Sequence, residues 1–360
     1  MGVRTDRTRL SEAIASYLQW REQRGTAAGT LANDRVSLLA FQRSAGDLLT
    51  SSLEAYHVEA WLFGPGGLTS EHRDLNGRLQ LPVAPSTLNG NLQRLRAFFG
   101  WCQRRGHVRR DPVADVRPLK TPQRRPVSAE HDVMLAMLES ATDPRDRAAL
   151  AVAVNTALRA ANIRGLRVGD LDLDRGTLRV FLVKSYVEKL LPVTADLDQE
   201  MRAWLTTYAE TIGRPLLSTD YLVPARHCGR YRWVTHEDGR REKLRTRAGY
   251  LPTRPPAKLE HIVQRAYSKV TGEDVTGVGM HTIRRGVARA LFDQLSTEGG
   301  YDHALRTVSA LLGHKNASTT EIYLGTSSEE RKLDEVMRGK PFLTAMVPAQ
   351  GNVVPLRAVQ

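Results

Sequence analysis

The sequence predicts a mainly α-helical protein with a small β-hairpin or sheet, an α+β chain in two domains. Three observations carry this. Apolar residues recur at helical spacing over 10–106 and again over 128–157. Two β-prone runs, 177–183 and 189–193, flank a short turn. A stretch bearing prolines and arginines, 107–126, separates the helical regions, and 360 residues suit about two domains.

In the first domain, 1–110, Ser11 is the expected cap of a helix ending near Gly25, and Thr30 of a second. That second helix turns Leu31, Leu38, Leu39 and Phe41 toward a core. A third is expected around Leu53 to Leu62. Residues 63–85, rich in glycine and polar groups, read as a long loop. The fourth helix has the clearest pattern. Ser86 is its cap, then Leu88, Leu92, Leu95, Phe98, Phe99 and Cys102 form one stripe, and Gly106 stops it.

Residues 111–126 are the expected linker. Within 107–126 there are four prolines and several arginines, a composition that gives an extended, semi-rigid and basic segment. Up to Arg125 the chain holds 19 basic and 11 acidic residues. Every basic residue before Lys120 is arginine, the side chain suited to bidentate phosphate contact. Arg94, Arg104, Arg105, Arg109, Arg110, Arg124 and Arg125 are the candidate contacts to a polyanion.

The second domain, 127–340, opens with helices expected over 128–140 and 144–157, leading into Thr156-Ala157-Leu158-Arg159. The β-prone hairpin carries Lys184 and Lys189. Residues 225–258 hold ten basic against three acidic residues with Tyr231, Trp233 and Tyr250 interleaved, and a turn at Asp238-Gly239 predicts a hairpin there. A helix over 256–270 follows. Ser327 and Glu330 form a capping box that starts a helix through Met337. The tail, 341–360, is apolar but broken by Pro341, Pro348, Gly351 and Pro355.

Composition narrows the function. A net charge of +13 favours a polyanionic partner. Two cysteines, Cys102 and Cys228, are too few for a disulfide framework and fit a reducing cytoplasm. There is no run of about 18 apolar residues and no signal-peptide core, so no membrane partner is expected. No metalloprotease or clustered Cys/His spacing exists, and no metal or cofactor is expected.

The chemistry concentrates in 281–323. His281 and Arg284 stand at i and i+3, on one face of a helix beginning there. Leu312-Gly313-His314 follows, and Tyr323 lies nine residues beyond His314. Ser318 with Glu321 is a capping-box pattern that puts Tyr323 early in a short helix. Two imidazoles, a guanidinium and a phenol suit a phosphate. Arginine grips two oxygens, histidine donates or shuttles a proton, and tyrosine can attack.

This ordered set resembles the catalytic signature of the tyrosine recombinases, the family of phage integrases and Xer-type resolvases. The resemblance implies a helical core-binding domain of the SAM-like kind, a catalytic domain, and a C-shaped clamp around double-stranded DNA. It implies that Tyr323 is the nucleophile, and that Arg159, Arg284, His281, His314 and Lys184 complete the site. Arg159 matches the first catalytic arginine of a T-G-L-R segment, with Ala157 where the family usually has glycine. Lys184, eight residues before Pro192, matches the hairpin lysine, although both flanking glycines are missing; Lys189 falls where an arginine is common. Arg285 stands where the family often has histidine, and the His281–His314 interval is lengthened around Thr297-Glu298-Gly299-Gly300.

The implied reaction is site-specific recombination through a covalent 3′-phosphotyrosyl link and a Holliday junction. It would use a tetramer assembled on specific sites, with residues 341–360 packing in trans and an accessory DNA-bending or directionality factor as a further partner. Type IB topoisomerase chemistry and DNA binding without catalysis are the alternatives.

Overall fold

The computed structural model describes residues 7–73, 77–121, 127–182, 187–229, 231–245, 248–314 and 316–324. Contacts divide the chain into two compact units, 1–124 and 125–360. Among the described residues no helix is long and apolar enough to cross a membrane.

Among its described residues the first unit has four α-helices: α1 (Leu10–Gln23), α2 (Ala28–Ala45), α3 (Ala55–Phe63) and α4 (Pro85–Arg105). The α4 stripe from Leu88 to Cys102 is buried as its spacing predicts. Around it, Tyr17 meets Phe98 edge-on at 5.4 Å, and Phe41 meets Trp61 and Phe99 at 5.6 and 5.8 Å. Gly106 ends α4 in the left-handed region at φ 78°, with its N–H donating to Cys102 O.

The helix starts differ from the sequence reading. Ser11 is not a cap but lies inside α1, where its N–H and hydroxyl both donate to the Asp47 carboxylate at 2.8 and 2.9 Å. Thr30 is inside α2, and Pro85 takes the first position of α4 ahead of Ser86. The 63–85 loop contains a small hairpin, β1 (His72–Arg73) with β2 (Leu79–Gln80).

The first part of the expected linker is docked rather than extended. Val108, Val113 and Val116 are buried in the first unit's core. Arg96 donates to Val116 O at 2.7 Å. The Asn89 side chain pairs with Leu119 as a strand would, giving and taking a hydrogen bond, each 2.8 Å. The backbone as far as Leu119 thus belongs to α4. Residues 122–126, with Arg124 and Arg125, lie outside the described residues.

The second unit begins with α5 (His131–Ser140), α6 (Pro144–Thr156) and α7 (Ala160–Gly165). A three-stranded antiparallel sheet follows: β3 (Leu171–Asp172), β4 (Thr177–Leu182) and β5 (Val187–Pro192), in that order. On β4, Leu178 and Val180 are buried while Arg179 and Phe181 face solvent, the alternation of a half-covered strand. Then come α8 (Ala195–Ile212), β6 (Ala225–His227), β7 (Tyr231–Thr235), β8 (Arg241–Arg245), β9 (Gly249–Leu251) and α9 (Glu260–Thr271). Alanine-rich α6 is buried from Ala148 to Ala153, which lets its neighbours approach its backbone closely.

The last described elements are α10 (Met280–Leu312) and α11 (Ala317–Leu324). Gly300, at φ 79° and ψ 172°, breaks α10 into two helical runs where the His281–His314 interval is lengthened. Phe292, Ala304, Leu305, Val308, Leu312 and Leu324 form a second small core with Ala157. The helix expected after Ser327 and the tail 341–360 lie outside the described residues.

Candidate active site

The site sits where three chain ends converge: the end of α6, the start of α10, and the turn from α10 into α11. Arg284, in the second turn of α10, is buried. Its Nη1 donates to Ala157 O and its Nη2 to Leu312 O, the latter at 2.6 Å. One guanidinium therefore ties the end of α6 to the end of α10.

Both tied ends are left-handed. Gly313 takes φ 63°, and the next amide, His314 N–H, donates back to Ser309 O at 3.0 Å. This turn, not available to most residues, reverses the chain so that His314 faces Tyr323. Ala157 is the only non-glycine among the described residues with positive φ, at 50°. The exchange of glycine for alanine here is thus more than a small-for-small change: an L-residue in this region carries about 1–2 kcal/mol of strain.

Tyr323 is nearly two turns into α11, which starts at Ala317, so Ser318 lies within the helix rather than capping it. Its hydroxyl rests 3.5 Å from His281 O. The His314 ring meets it edge-on at 5.4 Å, and the Arg284 and Arg285 guanidiniums lie 6.0 and 5.3 Å from the ring centre. Arg159, half-buried at the start of α7, adds its charge to the same place. The structure thus brings together five of the six predicted catalytic residues. Lys184 lies outside the described residues. Lys189, on β5, instead donates to Ala310 O in the last turn of α10.

Electrostatics follow from this crowding. Burial pulls the Arg284 pKa down to about 10, helped by Arg159. Partial desolvation, then Arg284, Arg285 and Arg159, push His281 below its ordinary value, so it is neutral at pH 7. Burial pushes the Tyr323 phenol up, while the arginines pull it back. Among the described residues no carboxylate pairs with Arg159, Arg284 or Arg285. Such a cluster fits an incoming anion.

Thr320 had no sequence signal strong enough to single it out, and Arg285 was marked only as a departure from the family pattern. Thr320, fully buried, is 2.9 Å from His314 Nδ1 and 2.6 Å from Ser309 Oγ, fixing the imidazole. Arg285 stacks on the nucleophile candidate. In the first unit, Arg104, Arg105, Arg109 and Arg110 are exposed, Arg110 pairing with Asp115 at 3.2 Å. Arg94 is drawn toward Asp34, 3.7 Å away.

The sequence matches the phage integrase family over residues 128–330, more than half of the chain. The chain belongs to the phage integrase family. As a tyrosine recombinase it is a DNA strand-cleaving and rejoining transferase of site-specific recombination. It is 31% identical over 327 residues to the tyrosine recombinase XerD of Xanthomonas campestris pv. campestris, covering 87% of each chain. It is 29% identical over 258 residues to the tyrosine recombinase XerC of Mycobacterium sp. (strain KMS), covering 69% of this chain and 75% of that one. A lambda integrase fragment, solved as a dimer bound to a COC′ core site, superposes with TM-score 0.59 at 19% identity. That match covers 88% of this chain and 95% of the fragment. A lambda integrase tetramer on a Holliday junction gives 0.58 at 18% identity, over 88% and 78%. These two likenesses show a common fold.

Proposed function

We propose that this integrase-family chain cleaves a DNA strand with Tyr323 as nucleophile and rejoins it to a new partner. The observation that carries the reading is the group of three guanidiniums around one phenol without a paired carboxylate among the described residues. A scissile phosphate placed there supplies the missing negative charge.

Tyr323 Oη attacks phosphorus, the P–O5′ bond breaks, and a 3′-phosphotyrosyl link forms. Neutral His281 is suited to accept the phenol proton. Arg284, its fork already fixed by two carbonyls, and Arg159 stabilise the charge that develops on the non-bridging oxygens. If Thr320 donates to His314 Nδ1, then Nε2–H is left to donate to the same phosphate. The leaving 5′ oxygen takes its proton from Lys184. Attack by a second 5′-hydroxyl reverses these steps without an external energy source, since the phosphotyrosyl bond keeps the energy of the broken one. The 3.5 Å contact to His281 O holds the phenol at rest, and DNA entry must release it.

The wider reading is a two-domain clamp on a specific duplex site, acting as a tetramer through a Holliday junction in the cytoplasm. The exposed arginines of the first unit are its phosphate contacts, 341–360 packs on a neighbouring protomer, and an accessory DNA-bending or directionality factor is a further partner. The lambda integrase dimer on a core site and tetramer on a Holliday junction support this reading by their fold.

The test is Tyr323→Phe. The variant is expected to bind DNA as the parent does yet form no denaturation-resistant adduct. An adduct from the Phe variant removes Tyr323 from the nucleophile role.

A further inference from the structure

Residues 225–251 take no part in the chemistry above. Their base is firmly set: β6 pairs with β9, and Tyr250 packs edge-on against Trp204 and Tyr208 of α8 at 5.3 and 5.6 Å. Beyond the base, β7 and β8 form an antiparallel ribbon with Trp233 opposite Lys243, Val234 opposite Glu242, and Thr235 opposite Arg241. The turn is well built. Gly239 takes φ 80°, its N–H donates to His236 O at 2.9 Å, and Asp238 accepts from Arg240 N–H at 2.9 Å.

Directly paired residues share a face, and faces alternate along each strand. The register therefore sorts the ribbon. Trp233, Thr235, Arg241 and Lys243 share one exposed face, while Val234 and Glu242 take the other. Glu242 is engaged there by His236 at 3.0 Å, away from the cations. Trp233 is 59% exposed, and the Arg241 guanidinium lies 5.4 Å over its ring.

We propose that this face of the β7–β8 ribbon is a duplex-DNA contact additional to the catalytic site. The inference rests on the DNA-cleaving reading above. A solvated charge run accounts for the cations but not for a large indole kept in water beside them. A duplex accounts for both: Arg241 and Lys243 meet phosphates, and Trp233 covers sugar surface between them. A two-stranded ribbon also has the width that a major groove admits. Charge supports the occupant, with ten basic against three acidic residues over 225–258. Because the contacts are to the backbone, they add affinity without sequence preference.

The test measures full-length protein on a labelled mixed-sequence duplex across a salt series, with folding checked by melting. Neutralising two phosphate contacts in the double variant Arg241→Ala/Lys243→Ala is expected to reduce the log–log salt slope by about 2. Arg241→Lys/Lys243→Arg is expected to keep the parent slope, and Trp233→Ala to weaken binding without changing it. An unchanged slope in the double alanine variant overturns the ribbon contact while leaving the catalytic reading standing. A flat salt dependence of the parent overturns the ribbon contact together with the clamp of the proposed function. Loss of self-association with an unchanged slope assigns the face to a second copy of the chain and refutes the proposal.

Discussion

Gly286 tests whether the geometry of the site depends on how closely α5 and α10 approach. A Cβ at this position would stand 2.0 Å from Ala129 O and 3.0 Å from Met134 Sδ. Ordinary contact begins at 3.4 Å, so Gly286→Ala obliges the two segments to part by about 1.4 Å. The obstacle is a backbone oxygen, which no rotamer change removes. It belongs to the segment leading into α5, held to α10 by the Ala129 N–H bond to Thr282 O. Overpacking of this kind costs about 1–3 kcal/mol, and losing that hydrogen bond about 1 more. Alanine's better helix propensity returns about 1 kcal/mol.

The net expectation for Gly286→Ala is a loss of about 1–3 kcal/mol, or roughly 2–4 °C of melting temperature per kcal/mol in a unit this size. Activity should suffer more. His281 and Arg284 lie within the two turns preceding Gly286, and a displacement of about 1 Å at a reacting centre costs on the order of 10²-fold. Thermal melting and single-turnover cleavage of a nicked DNA substrate measure the two effects. A variant that melts within a degree of the parent and cleaves at the parent rate refutes the close approach.

Other consequences follow from the same contacts. Thr320→Val removes the hydroxyl between His314 and Ser309, and cleavage is expected to fall about tenfold, with DNA affinity kept and Thr320→Ser restoring the rate; an unaffected Val variant excludes a positioning role. If His281, held below its ordinary 6.5, is the neutral base, the acid limb of kcat/KM should be centred below 6.5. An acid limb centred at or above 6.5, or one that persists in His281→Asn, contradicts that assignment.

The fold was legible where periodicity reports burial. The Leu88 to Cys102 stripe, the α6 helix and the hairpin turn at Asp238-Gly239 all rest on patterns that local physics enforces. Helix starts were less legible, because Ser, Thr and Asp cap only when nothing farther along the chain claims them. Ser11 is claimed by Asp47, across 36 residues. The docking of 107–121 was hidden for a related reason: it uses Asn89 and Arg96 against backbone carbonyls, which leave no periodic trace. In the site, His281, Arg284, His314 and Tyr323 stood out by type and order. Thr320 did not, since a buried hydroxyl that orients an imidazole looks like any threonine. The consequence of alanine at 157 also required the structure, because φ is not written in residue size.

The arginines of the second unit show why the site could be told from its surroundings. Arg145 is buried beside Asp146 at 2.7 Å, Arg147 grips Glu200 at 2.6 and 2.8 Å, and Arg214 grips Asp220 at 2.8 and 2.9 Å. Each carries its neutralising carboxylate, and for Arg145, the one of the three that is buried, this is the usual solution for a guanidinium taken out of water. Arg284 is buried as deeply but is held by two backbone carbonyls instead. Carbonyls fix the orientation of the fork while leaving its charge uncompensated. A carboxylate in their place would hold Arg284 as firmly, yet it would neutralise the charge a phosphorane needs and repel the phosphate on approach. Carbonyls also hold Arg96 and Arg164, which serve the fold, so the distinguishing feature is burial without an acid. Of the buried arginines among the described residues, Arg145 has its carboxylate and Arg284 has none, which leaves its charge for the proposed phosphate.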